Sequence, residues 1–299
     1  MFPRSLVEDN VWKDISISNM FTFAPPPPSA KSERSWGAEF EDHELICVFS
    51  RSGDLVPCLL LPVLSTELDP SRKAPSALVI YCHDNGEDLA SVREAGYWLV
   101  ETLGVMVIIP EYPGFGISEG RATETSVLRS VEAAYDFAVH GLLWDARRIL
   151  LFGRGLGSGP AVHMASTRRN GGLILVRPFT SVRDQVQLHV AARFASLPAA
   201  RWLIDSLAAD LFHNDRDVAH VPGPLLIVHG MGDDDTSCEQ SRCLFQSATA
   251  ADKRLVLVQG VGAVGVELQF AVAKAARALF DKVLAGQEHV IQFWDFEAR

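Results

Sequence analysis

The stretch ILLFGRGLGSGPAV, Ile149 to Val162, reads as a short apolar strand, a glycine-rich turn and the first turn of a helix. An enzyme that attacks esters from such a turn needs a serine, cysteine or aspartate at the tip, yet the middle of Gly153-Arg154-Gly155-Leu156-Gly157 is Gly155. A dinucleotide-binding reading also fails, because G-x-G-x-x-G needs glycine where Ser158 or Pro160 stands, and the phosphate-loop pattern lacks its lysine.

On either side of this stretch, short apolar runs alternate with amphipathic segments. The runs are ALVIYC (77–82), VMVII (105–109), ILLF (149–152), LILV (173–176), LLIV (225–228) and LVLV (255–258). Runs apolar at every position suit strands buried on both faces, hence a parallel sheet. Helices are expected at about 88–103, 123–140, 158–169, 237–248 and 266–285; in the last, Leu268, Val272, Ala275, Leu279 and Val283 form one stripe. Ahead of the alternation, ELICVFS (44–50) and LVPCLLL (55–61) flank Arg51-Ser52-Gly53-Asp54 as a hairpin, with Pro57 placing the second strand at or near a sheet edge. The fold class is therefore α/β: a mostly parallel central sheet with helices on both faces.

With 299 residues, 48% of them hydrophobic, the chain can bury one large core. Its net charge of -10 disfavours nucleic acid and anionic membranes as partners, since phosphate binding rests on clustered Lys and Arg. Five cysteines without a CxxC pair fit reduced thiols in an intracellular, most simply cytoplasmic, setting. No apolar run reaches the roughly 20 residues of a membrane span, and the first residues carry no signal-peptide pattern.

Three segments flank or interrupt the domain expected over 41–286. Residues 1–40 form an N-terminal arm with the polyproline connector Pro25 to Pro28, and residues 287–299 an apolar tail. Residues 182–220 break the alternation and are expected to form a helical lid over the carboxyl ends of the strands. The aromatics Trp12, Phe21 and Phe23 of the arm and Phe293, Trp294 and Phe296 of the tail are candidates for contact with a protein partner, with folding back of the tail on its own domain as the alternative.

The loops after the strands carry a specific order of motifs. They read His83-Asp84-Asn85-Gly86-Glu87-Asp88-Leu89, Glu111-Tyr112-Pro113-Gly114-Phe115-Gly116, the glycine turn, Arg177-Pro178-Phe179-Thr180-Ser181, His229-Gly230-Met231-Gly232-Asp233, and Gly260-Val261-Gly262-Ala263. That order, over about residues 40–285, resembles the α/β-hydrolase superfamily, most closely its serine-hydrolase branch that includes membrane-associated protein depalmitoylases. The resemblance implies an oxyanion-hole loop reading HGN, a GxSxG nucleophile elbow, an acid in the fifth motif and a GxGH base. Carried over by position, the nucleophile falls on Gly155, the acid on Asp233 and the base on Ala263, with Asp84, Asn85 and Leu156 as the remnant of the oxyanion loop. The depalmitoylases' cysteine-rich, acylated amino terminus has no counterpart, because residues 1–46 contain no cysteine.

Acyl transfer needs an activated nucleophile and a base that takes and returns its proton. Glycine and alanine do neither, and Asp84 replaces the HGN glycine with a carboxylate near the point where negative charge would develop. Glycine at the elbow tip also removes the strain that a Cβ would suffer there. Of the neighbours that might substitute, Ser158 is expected to cap or pack against the helix, Cys82 to be a buried thiol, Thr180 and Ser181 to lie off the elbow, and His229 to be hydrogen-bonded in a strand-end turn. The acidic run Asp233-Asp234-Asp235 is expected to be solvated and the group His213, Asp215, Asp217 to form a polar loop, with no metal and no cofactor.

The expectation is a catalytically inactive hydrolase-like protein serving as a structural or scaffolding subunit of a larger protein assembly. Two alternatives stay open: a sensor of acyl chains or small molecules, and a residual ester or thioester hydrolase using a non-standard nucleophile.

Overall fold

The computed structural model describes residues 23, 44–61, 75–187, 211–263 and 265–285. Eight strands form one sheet: β1 (Leu45–Phe49), β2 (Leu55–Leu61), β3 (Leu78–Cys82), β4 (Met106–Pro110), β5 (Ile149–Arg154), β6 (Gly172–Val176), β7 (Leu225–Gly230) and β8 (Lys253–Val258). Their spatial order is β1-β2-β4-β3-β5-β6-β7-β8. The β1–β2 hairpin and the β2–β4 pair are antiparallel and all later pairings are parallel. Pro57 thus sits one strand in from the edge, its carbonyl accepting a hydrogen bond from the Glu111 N–H.

The α-helices among the described residues are α1 (Leu89–Leu103), α2 (Glu124–Asp136), α3 (Ser158–Thr167), the short α4 (Asn214–Asp217), α5 (Cys238–Ser247) and α6 (Val266–Ala285). Two capping boxes, Asp88 with Ser91 and Thr123 with Ser126, start α1 and α2. The segment expected as one helix to residue 140 is α2 followed by a π-type turn over Phe137–Gly141. Alternation along each strand divides the core between the two faces of the sheet. Leu78, Ile80, Ile149 and Leu151 point to the layer containing α2, α3 and α5, while Val79, Tyr81, Leu150 and Phe152 point to the layer containing α1 and α6. At roughly 1.5–3 kcal/mol per fully buried side chain, these two layers are the main source of stability.

The LVLV run breaks the rule of full burial. β8 is the terminal strand, and of its six residues only Val256 and Val258 are buried. Apolar composition alone does not distinguish such an edge strand from its central neighbours.

Chain order and sheet order part company at β3. The chain runs from β3 to β4 on one side and then crosses to β5 on the other. In a parallel sheet such a reversal opens a crevice beyond the strands' carboxyl ends. Register pairs Cys82 of β3 with Gly153 of β5. Asp84 and Gly155, each two residues further on, therefore emerge side by side at the mouth of this crevice.

Candidate functional site at the strand carboxyl ends

Gly155 has φ +48°, the left-handed region where a side chain is strained, and opens a single 3-10 turn that runs into α3. Two residues on, Gly157 lies so close to the end of β3 that a Cβ there would strike the Cys82 carbonyl. The elbow geometry is thus complete, and the space beyond its tip is filled. A Cβ at position 155 would fall on the Asp84 carboxylate.

That carboxylate is held from three directions. Asp84 Oδ1 accepts the backbone N–H groups of Asn85 (2.7 Å) and Leu156 (2.8 Å), and Oδ2 accepts from Arg177 Nη1 at 2.9 Å. The N–H of the residue after an elbow tip, joined by one from the loop after an earlier strand, is the arrangement that stabilises an oxyanion. Here the anion is a side chain of the same molecule.

Arg177 joins this carboxylate to the acid position. Its Nε donates to Asp233 Oδ2 at 2.8 Å and its Nη2 to Asp233 Oδ1 at 3.4 Å, with Asp235 a further 3.5 Å partner. Asp233 also accepts the backbone N–H groups of Asp235 and Thr236 through Oδ1. Burial by itself would raise the Asp233 carboxyl. Hydrogen bonding from His229 and Arg177, then from the Thr236 N–H, outweighs it and holds the group well below the usual carboxylate range. Arg177 sits at φ +47° one residue beyond β6, with its N–H bonded to the Val228 carbonyl. A bulky residue is seldom found in that conformation, and the two carboxylates and the backbone bond hold it there.

The expectation that residues 233–235 form one solvated acidic loop is therefore corrected: the Asp233 side chain is fully buried and ion-paired, whereas Asp234 and Asp235 are exposed. Arg177, quoted within a loop motif but given no role, is the centre of the cluster. A lone arginine after a strand has no local signal for this; the positions of its two partners come from other strands. Among the described residues, no three His, Cys, Asp or Glu side chains converge as metal ligands would.

The other candidates have local partners. Ser158 Oγ donates to the Gly155 carbonyl at 2.7 Å and accepts from Asn214. Cys82 is fully buried, and burial pushes its thiol far above the ordinary range. Thr180 Oγ1 donates to Asp184, and Ser181 Oγ accepts the Asp184 N–H. His229 is buried, with Nε2 2.8 Å from the Thr236 carbonyl and Nδ1 2.6 Å from Ser241 Oγ. His83 stacks on Tyr112 and faces Glu111 at 3.1 Å, both side chains wholly buried.

A cleft of about 290 Å³ opens over the cluster, lined in part by Asp84, Leu156, Arg177, Phe179, Val182 and Val186. Ala263, where the resemblance implies the base, lines a different cleft of about 460 Å³, with Trp98 and Arg154. Of the expected lid, residues 182–187 and 211–220 are described and 188–210 lie outside the described residues.

Among the aromatic partner candidates, Phe23 is corrected. It is 6% exposed and meets Phe212 edge-on, with ring centroids 6.2 Å apart, so its apolar surface is taken up within the chain. Trp12, Phe21, Phe293, Trp294 and Phe296 lie outside the described residues, as do the Pro25–Pro28 connector and the 287–299 tail. No described helix is long and apolar enough to cross a membrane.

Comparison with known proteins places this geometry. No family model matches the chain. It is 29% identical over 252 residues to an uncharacterised protein of Mycobacterium tuberculosis, covering 84% of this chain and 81% of that one. It is 22% identical over 265 residues to alpha/beta hydrolase domain-containing protein 17B of Homo sapiens, covering 84% and 86%. Among solved structures, an esterase of Pyrococcus furiosus superposes with a TM-score of 0.65 at 14% identity, over 87% of this chain and 99% of the esterase. The sheet order, the elbow between β5 and α3 and these relatives agree: the chain is a protein of the α/β-hydrolase fold.

Proposed function

We propose that this protein performs no serine hydrolysis and works by binding, as a structural or scaffolding subunit of a larger protein assembly. The observation that carries the first half is the Asp84 carboxylate, seated on the Asn85 and Leu156 N–H groups in the space a nucleophile at position 155 would need. Ala263, at the position where the resemblance implies the base, has no side-chain group that accepts a proton. The neighbouring hydroxyls and thiol are committed to packing or local hydrogen bonds. Support for a partner surface comes from the terminal hairpin, where Phe49 and Leu55 are cross-strand neighbours exposed by 72% and 54%.

The first test is native purification with sizing and mass spectrometry, run beside labelling with a fluorophosphonate probe. A discrete assembly without probe labelling is the expected result. A lone monomer would count against the scaffold, and labelling that disappears on Ser158→Ala or Cys82→Ala would overturn the silent-site reading. The small-molecule sensor is a second reading, favoured by the cleft of about 290 Å³ over the cluster; a ligand-induced melting shift of the isolated chain would select it.

A further inference from the structure

The polar groups around Asp84 make a receptor for a carboxylate. Two backbone N–H groups, from Asn85 and Leu156, converge on one oxygen at 2.7 and 2.8 Å, and the Arg177 guanidinium meets the other at 2.9 Å. Neither N–H belongs to a strand ladder. Both come from turns whose shape is fixed by other contacts: the Asp84 N–H bonds to Glu87, Glu87 is ion-paired to Arg154 at 2.6 Å, and the elbow is fixed by its approach to β3. The donors are therefore pre-organised independently of the anion. Arg177 is in turn anchored from behind by Asp233, so its Nη1 is left to address whatever occupies the nest.

We propose that this nest is a carboxylate-binding site kept closed by Asp84 as its own internal ligand, and that a short-chain monocarboxylate replaces Asp84 when that side chain is withdrawn. The surroundings set the chemical class. The cleft that opens on the nest is walled on one side by Leu156, Phe179, Val182 and Val186, which suits an apolar tail. At roughly 30 Å³ per water-sized volume, its volume of about 290 Å³ accommodates an acid of about six to eight carbons. A second carboxylate cannot share the nest with Asp84, because both would need the same two N–H groups. Tethering gives Asp84 an effective concentration that free acids do not match, so the closed state is the resting one. The proposal goes beyond the scaffold reading and rests on it only in requiring a site that does not turn over esters.

The test uses the full chain and thermal melting with sodium hexanoate, with hexanamide as the uncharged control. Asp84→Ala is expected to melt about 5–10 °C below the wild type, since it leaves the guanidinium and two N–H groups without their anion. Hexanoate should recover much of that loss and hexanamide should not. The wild type should need at least about tenfold more hexanoate for the same shift. Adding Arg177→Gln to Asp84→Ala should abolish the response. If Asp84→Ala does not fold, Asp84→Gly, the residue of the motif this loop resembles, takes its place. A variant indifferent to hexanoate, an equal response to hexanamide, or a wild type as responsive as the variant would each overturn the proposal. Turnover of p-nitrophenyl hexanoate by the wild type would overturn the silent-site reading instead, and is scored separately.

Discussion

The Asp84 carboxylate occupies the space into which the first side-chain carbon of any residue at position 155 would project. The two positions are therefore coupled: a side chain at one requires the other to move. The coupling follows from the sheet, because β3 and β5 are neighbours in register and each delivers its loop two residues past a paired position.

Gly155→Ser is expected to destabilise the protein. The serine would sit at φ +48° and collide with Asp84, for a combined cost of about 2–5 kcal/mol. Asp84→Gly in the same chain should return at least about 1 kcal/mol of that loss as a coupling energy, read from a double-mutant cycle of urea unfolding. Additive effects of the two substitutions would show that the collision is relieved some other way.

Replacing Arg177 by methionine leaves Asp84 and Asp233 without their shared cation. A loss of about 3–5 kcal/mol is expected at neutral pH, as for removal of one partner from a buried ion pair. The pH dependence has a definite sign. Asp233 is depressed in the folded state, so its contribution is complete above the unfolded value of about 3.9 and is lost as pH falls below that toward the folded value. In Arg177→Met the folded value rises, so the wild type's extra stability at neutral pH should shrink as pH is lowered below about 5. Urea unfolding from pH 3 to 8 checks this, and a constant difference between the two proteins would contradict it.

The His83–Glu111 pair gives the opposite sign. Burial acts to lower the His83 imidazole, but the Glu111 carboxylate overrides it and leaves the group above its ordinary value. Its stabilising contribution is full below the unfolded value of about 6.5 and fades as pH rises through the folded one. Imidazole NMR titration should find His83 above the ordinary range, and Glu111→Gln should lower it.

Gly157→Ala is expected to cost about 3 kcal/mol, although both residues are small. The new methyl would meet the Cys82 carbonyl, which is backbone and has no rotamer with which to yield. Chemical denaturation of this single variant measures the cost directly. A loss under about 1 kcal/mol would mean that the end of β3 can shift away from the elbow.

Most of the scaffold is legible in the sequence because it is encoded locally. Apolar runs of four to six residues, helical stripes and glycine turns fix the strands from β3 onward, the helices between them and the elbow itself. That glycine and alanine stand at residues 155 and 263, where the resemblance implies a nucleophile and a base, is likewise a matter of residue identity. The resemblance in turn placed a carboxylate, Asp84, close to the elbow.

Only the tertiary structure decided what that carboxylate does. Arg177, Asp84 and Asp233 follow three different strands, and their meeting depends on strand order and register, which no window of sequence contains. The burial of Asp233, hidden within a run of three aspartates, and the inward turn of Phe23 toward Phe212 have the same origin. Hydrophobic periodicity reports which face of an element is buried. It carries no information on which distant charge or ring will arrive to meet that face.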